Sequence, residues 1–297
     1  MPTDTTIENW SLDRAPELAD CYAAHTSWLG HANPLTPDLF ADGITAELNY
    51  LFGRRTPLID EQFFVAIQPD RITGFIHVGI VDGEPTGIIR YLGFQPDDPD
   101  TGSALLDEAE AFFAERSVSQ VSAFKKGRIY AFTSVDGGLC DRAEHIHELV
   151  KSRGYALDYD TLTMTLDSIP DFEPDHPDDT AKANMHATEP THEKPRVCLV
   201  MNTANDEEIG MCLSYSLSDA QPVEDLRPML YINWLVSNKG YRRQGWGQYM
   251  LLETLREAKA RGYTSCVLGT DLNNQPARTL YEKHGFTNTY CSPCYKK

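Results

Sequence analysis

Residues 232–255 read INWLVSNKGYRRQGWGQYMLLETL. A β-run ends at Val236, a turn follows, and Arg242-x-x-Gly245-x-Gly247 opens an amphipathic helix predicted over Gly245–Arg261. Glycines ahead of a helix let a bound group come close to the backbone, where free N–H groups and the positive dipole end favour an anion. Lys239, Arg242 and Arg243 put positive charge beside this turn in a chain that is otherwise strongly acidic. Read physically, the segment is a diphosphate cradle. Glycine before a helix is also often only a turn, and spacing alone does not separate the two.

Outward from this segment, strands are predicted at Arg196–Asn202, Ile209–Leu217, Met229–Ser237 and Ser265–Leu268, with a further helix at Gln275–His284 and a short closing segment from Phe286. The N-terminal part has the same order. A short strand at Ile7–Leu12 and helices at Asp13–Trp28 and Pro37–Phe52 precede β-runs at Phe63–Gln68, Ile72–Val81 and Gly87–Phe94. A helix over Gly102–Arg116, a strand at Val118–Phe124, a helix at Arg142–Arg153 and a strand at Tyr159–Leu166 follow. Between the parts, Asp171–Pro195 holds four prolines, many charges and almost no large apolar residues. Such a stretch buries too little to offset the entropy of ordering it, so it reads as a linker. The expected organisation is a domain over 1–170, a linker over 171–195 and a second domain over 196–297, each a mixed α/β (α+β) sheet.

Downstream of the glycine turn, Asp271–Phe286 reads DLNNQPARTLYEKHGF. With both segments in view, the chain resembles the GNAT superfamily of acyl-CoA-dependent N-acyltransferases. That family's glycine loop has the form Arg/Gln-x-x-Gly-x-Gly/Ala, here Arg242–Gly247. Its later helix reads Asn-x-x-Ala-x-x-Leu-Tyr-x-x-x-Gly-Phe, matched by Asn274, Ala277, Leu280, Tyr281, Gly285 and Phe286. The two motifs cover most of Leu230–Phe286. The resemblance implies a strand that splays from its neighbour, with the pantetheine arm of acetyl-CoA in the gap. The backbone at Leu235 and Val236 would pair with that arm. Amides of Arg242, Arg243, Gln244, Gly245, Trp246, Gly247 and Gln248 would hold the pyrophosphate. Asn274 would touch the cofactor or fix the second helix, and Tyr281 would protonate the departing thiolate as general acid.

Three departures stand beside the match. Many members carry a glutamate base five residues before the asparagine, where this chain has Gly269; Asp271, or water relayed from Glu224 or Asp225, is left as a candidate. About one extra residue separates Val236 from Tyr241. The C-terminal half also lacks an obvious first strand and the two helices that usually wall the acceptor groove, and it stops too soon after Phe286 for a closing hairpin.

Laid on the same template, the N-terminal half is a worn copy. Ile88–Phe94 takes the loop-bearing strand, and Pro99-Asp-Thr-Gly102-Ser-Ala104 the glycine loop, with proline removing an N–H donor. Asp97, Asp98 and Asp100 would repel a diphosphate. Val150 stands where Tyr281 does in the other half, and Ala143 where Asn274 does. This degenerate domain is expected not to bind acyl-CoA in the usual way but to shape the acceptor pocket. The arrangement resembles two-domain members such as mycothiol synthase, whose C-terminal domain is the active one.

Composition narrows the partners. The formal net charge of -18 disfavours nucleic acid and anionic lipid and suits cationic amines. It also disfavours the tRNA-using aminoacyl transferases of similar architecture. No apolar run is long enough to span a membrane and no secretory signal opens the chain. The odd count of seven scattered cysteines points to reduced thiols in the cytoplasm. Cys291-Ser-Pro-Cys294 is a lone CxxC without further ligands, so no metal is expected. His145 and His147 point apart on one helix and read as surface residues. Cys266 reads as core packing. The expectation is an acetyl-CoA-dependent N-acetyltransferase acting on a primary amine of a small molecule or peptide by direct attack in a ternary complex. A non-catalytic acyl-CoA-binding regulator is the alternative, and a homodimer is compatible with either.

Overall fold

The computed structural model describes residues 5–27, 36–45, 58–69, 71–126, 128, 130, 133, 138–188, 196–217 and 229–297. Expected features at Trp28, at 46–52, at Glu224 and Asp225 and at 189–195 lie outside the described residues.

The chain forms two compact units, one of Met1–Thr161 with Tyr290–Lys297, the other of Leu162–Thr289. In the first unit, strands β1 (Thr6–Trp10), β2 (Leu58–Gln68), β3 (Arg71–Val81) and β4 (Thr86–Phe94) pair antiparallel in sequence order. β5 (Gln120–Ala123) pairs parallel to β4. Period-two alternation sends Phe63, Val65, Phe75 and Tyr91 to one face, where they pack with Tyr22 and Phe40 of helices α1 (Ala19–Thr26) and α2 (Pro37–Thr45). Phe64, Ala66, Ile76 and Leu92 go to the other face, under α3 (Pro99–Glu115) and α4 (Glu144–Ser152).

Beside β5 lies the end of β12 (Thr287–Lys296), with Tyr295 opposite Ala123 and Lys296 opposite Ser122. The short closing segment expected from Phe286 is thus a ten-residue strand. Its last residues complete the first unit's sheet. Pro293 weakens the strand signal in the sequence, because proline donates no ladder hydrogen bond. Tyr295 also corrects the reading of His147, which is buried. The His147 Nε2–H donates to the Cys140 carbonyl at 2.9 Å, while Nδ1 lies 3.2 Å from the Tyr295 hydroxyl.

The second unit starts with Leu162–Leu166, the end of β6 (Ala156–Leu166), which lies beside β11 (Ser265–Asp271). The end of β6 stands beside β11 as the end of β12 stands beside β5. Part of the stretch read as linker is strand β7 (Lys182–Thr188), antiparallel to β8 (Arg196–Asn202), and this is the first strand that the C-terminal half was expected to lack. Backbone pairing orders a segment whose side chains do not demand it. β8, β9 (Glu208–Ser216) and β10 (Met229–Ser237) continue the antiparallel meander, and β11 pairs parallel to β10. Helices α5 (Trp246–Ala260) and α6 (Gln275–Lys283) complete the unit, with α5 burying Met250, Leu251, Leu255 and Ala258.

The two units share details that composition alone would not produce. In each, the parallel pair runs for four residue pairs and then stops, at Ile89/Ala123 and at Ile232/Leu268. The strand bulges just beyond, leaving Arg90 or Asn233 as the extra residue. The last helix ends the same way twice. Gly154 and Gly285 are left-handed, and the Tyr155 and Phe286 amides donate back to the carbonyls of Val150 and Tyr281 at 3.1 Å. Val150 and Tyr281 therefore occupy one structural position.

Candidate active site

The site is built around the end of β10. Past Ile232 the strand stays paired with β9, setting Leu235 against Cys212 and Val236 against Met211. Its other edge is not paired with Gly269–Asp271 of β11, among the described residues. The backbone at Leu235 and Val236 thus faces a gap between parting strands.

The turn after β10 carries the positive charge. Arg242, Arg243 and Gln244 are exposed, and Arg243 has φ 64°. Gly245 is the N-cap of α5 at φ 89°, a left-handed conformation natural to glycine, and no side chain caps the helix. The Tyr249 amide is bonded to the Gly245 carbonyl at 2.9 Å. Among the described residues, no backbone carbonyl accepts from the amides of 242–248 ahead of it. A helix start with free donors and the positive dipole end suits a diphosphate. Trp246 is buried, and the first turn lies close to α6: a Cβ on Gly247 would stand 3.9 Å from Leu280 Cδ2. Lys283 Nζ donates to Gln248 Oε1 at 2.9 Å.

Asn274 is the N-cap of α6, its side-chain oxygen accepting from the Ala277 amide at 3.3 Å. Tyr281 is 7% exposed, and its ring lies 5.8 Å from that of Phe286. Burial pushes its phenol pKa well up, and the nearby thiols of Cys212 and Cys266 push the same way. Cys266 is fully buried and its thiol is held protonated, first by burial, so it fills core.

The general base is not among the residues at the usual place. Gly269 carries no carboxylate, and Asp271 Oδ1 accepts from the Asn273 amide at 2.7 Å, which ties it to the turn before α6.

The first unit is closed at every corresponding point. Asp98 is the N-cap of α3, and its carboxylate accepts from the Thr101 amide at 3.3 Å and the Thr101 hydroxyl at 2.7 Å. A built-in anion occupies the helix start. The bulge residue Arg90 is held by Glu61 at 2.7 Å and by the Arg128 carbonyl at 2.8 Å. Tyr91 and Tyr130 stack 5.6 Å apart, and His145 donates to the Phe94 carbonyl at 3.1 Å. Val150 is fully buried, and Ala143 is an N-cap without a side-chain bond.

Sequence reading missed the segment ahead of β7. Phe172, His176 and Pro177 pack on this same unit, against His284, Trp246 and the Gly245 turn. The signal was present as two large rings among the prolines.

The sequence model of the acetyltransferase (GNAT) family matches residues 162–286, nearly the whole second unit. Among solved structures, a GCN5-related N-acetyltransferase from Sphaerobacter thermophilus is 15% identical with a TM-score of 0.64, the match covering 100% of this chain and 96% of that one. A tandem GNAT protein from the clavulanic acid biosynthesis pathway is 10% identical with a TM-score of 0.70, over 99% and 98% of the two chains. A glucosamine N-acetyltransferase region of a fungal multi-domain GH3 β-N-acetylglucosaminidase is 13% identical with a TM-score of 0.68, over 100% of this chain and 38% of that one. No curated protein matches. The family match thus falls on the second unit, and the chain as a whole has the tandem GNAT fold.

Proposed function

We propose that the chain is an acetyl-CoA-dependent N-acetyltransferase whose second unit transfers the acetyl group to a primary amine of a small molecule or peptide. The observation that supports this most is the parting of β10 from β11 beside a helix start that Gly245 leaves without a side-chain cap. In this reading the backbone of Leu235 and Val236 pairs with the pantetheine arm and polarises the thioester carbonyl. The amides of Arg242–Gln248 hold the diphosphate, aided by the charges of Arg242 and Arg243. The amine attacks the thioester carbon directly within a ternary complex, and Tyr281 gives its proton to the departing sulfur. The base that takes the amine's proton is unassigned.

The net charge of -18 suits a cationic acceptor and disfavours nucleic acid or anionic membrane as partner. No helix among the described residues is long and apolar enough to cross a membrane. Cys21, Cys140, Cys266 and Cys294 are free thiols, in keeping with a cytoplasmic protein. A homodimer is compatible with this reading.

Thiol release from acetyl-CoA with a panel of amines, measured for wild type and Tyr281→Phe, tests the reading. Turnover that the substitution sharply reduces supports it. The empty base position at Gly269 favours a second reading, a non-catalytic acyl-CoA-binding regulator. Binding of acetyl-CoA without turnover, indifferent to Tyr281→Phe, would be its signature.

A further inference from the structure

The segment ahead of β7 has a linker's composition, yet it runs along α5 from its last turn to its first. Lys259 Nζ donates to Asp171 Oδ1 at 2.7 Å near the helix C-terminus. Phe172 meets the His284 ring edge-on at 6.2 Å. His176 then lies edge-on to Tyr249 at 4.5 Å and to Trp246 at 5.5 Å. Pro177 Cγ comes within 3.5 Å of the point that a Cβ on Gly245 would occupy. The path is held locally as well. The Asp178 amide donates to His176 Nδ1 at 3.3 Å, and Asp178 Oδ1 accepts from the Thr180 amide at 2.9 Å. A cleft of about 430 Å³ remains beneath, lined by Glu173, Tyr249, Glu253 and Arg256 among others.

These contacts converge on the turn whose amides are free. Gly245 and Arg243 are both left-handed, and such conformations persist where surrounding packing holds them. Aromatic contacts in this geometry are directional, so they fix where Trp246 and its amide sit. We propose that Phe172–Pro177 is a strap that presets the diphosphate cradle, with His176 and Pro177 as positioning residues for acyl-CoA binding. The inference rests on the reading of the α5 N-terminus as the diphosphate site. No bond of the reaction passes through the strap; it acts on the affinity for the donor alone.

That restriction gives the test. CoA affinity is measured by calorimetry for wild type, His176→Ala, Pro177→Gly and His176→Phe. Pantetheine, which lacks the diphosphate, is titrated in parallel by ligand-observed NMR. The strap requires that CoA bind roughly tenfold more weakly to His176→Ala and to Pro177→Gly, a change of about 1.4 kcal/mol. Pantetheine binding should stay within about twofold, and His176→Phe should restore CoA affinity by keeping a ring on Trp246 and Tyr249. Unchanged or tighter CoA binding in both variants overturns the proposal, as does an equal loss for pantetheine, which would report general damage. Wild type that binds no CoA removes the cradle and the strap's role with it. Wild type that binds while both variants bind equally well removes the strap's role alone.

Discussion

The Tyr281 phenol is neutral at physiological pH even in water, and burial extends that range upward. Burial disfavours the phenolate, so the folded pKa lies above the ordinary value near 10 and the neutral form persists to still higher pH. An alkaline loss of activity from this residue is therefore expected only above pH 10, and kcat should hold level from pH 8 to 10. On the proposed role of its hydroxyl at the leaving sulfur, Tyr281→Phe should lower kcat about a hundredfold while leaving the Kd for CoA unchanged. Gly245→Ala should cost roughly 1–2 kcal/mol in the left-handed region and weaken CoA binding. Asn274→Ala removes a helix cap and should destabilise the second unit by about 1 kcal/mol in denaturant titration. These residues were legible in the sequence because each acts through its own few neighbours. A glycine before a helix, an asparagine at its start and a tyrosine one turn from its end need no distant partner to be recognised. The general base was not legible, because a base is defined by what it stands near in space.

At the scale of elements, the two glycine-loop helices start from the same place in each unit and differ by one cap. Asp98 supplies α3 with its own carboxylate, whereas Gly245 leaves α5 bare. Asp98→Ala should lower the first unit's stability by about 1 kcal/mol in denaturant titration. It should not create CoA affinity, because Pro99 offers no amide and Tyr91, Tyr130 and His145 fill the strand end. Most helices and central strands follow from period alone, within a few residues at their ends. β7 and β12 do not. Lys182–Thr188 has Met185 as its one large apolar residue, Thr287–Lys296 contains a proline, and each is a strand because a neighbouring backbone edge accepts it.

For the molecule as a whole, chain order and unit composition part company. Tyr290–Lys297 belongs to the first unit, where Tyr295 is buried against Phe124 and His147 and the Lys297 amide donates to the Val121 carbonyl. A chain ending at Thr289 should therefore lose stability in the first unit, seen as an earlier melting transition. Acid should act on the same unit. Burial, the largest cause, holds His25 and His77 to a pKa of about 4, below the unfolded value of 6.5. Their neutral forms are what the fold accepts, so this stability is complete above pH 6.5. It is lost as pH falls toward 4, where the unfolded chain takes up protons first. Calorimetric melting between pH 7.5 and 4.5 should show the decline, and a flat profile would contradict it.

The sequence by itself determined that a mixed sheet is made twice, that the second copy carries an intact glycine loop and tyrosine, and that the first has lost both. Those features are written in short-range pattern: apolar period, helix caps, and charge beside a turn. Only the tertiary structure decided that the first unit is completed by the last strand of the chain, that the second begins with the end of β6, and that a proline-rich stretch braces α5. Backbone edges and aromatic faces are satisfied by whatever reaches them in space, and nothing in the local spacing of residues names that partner.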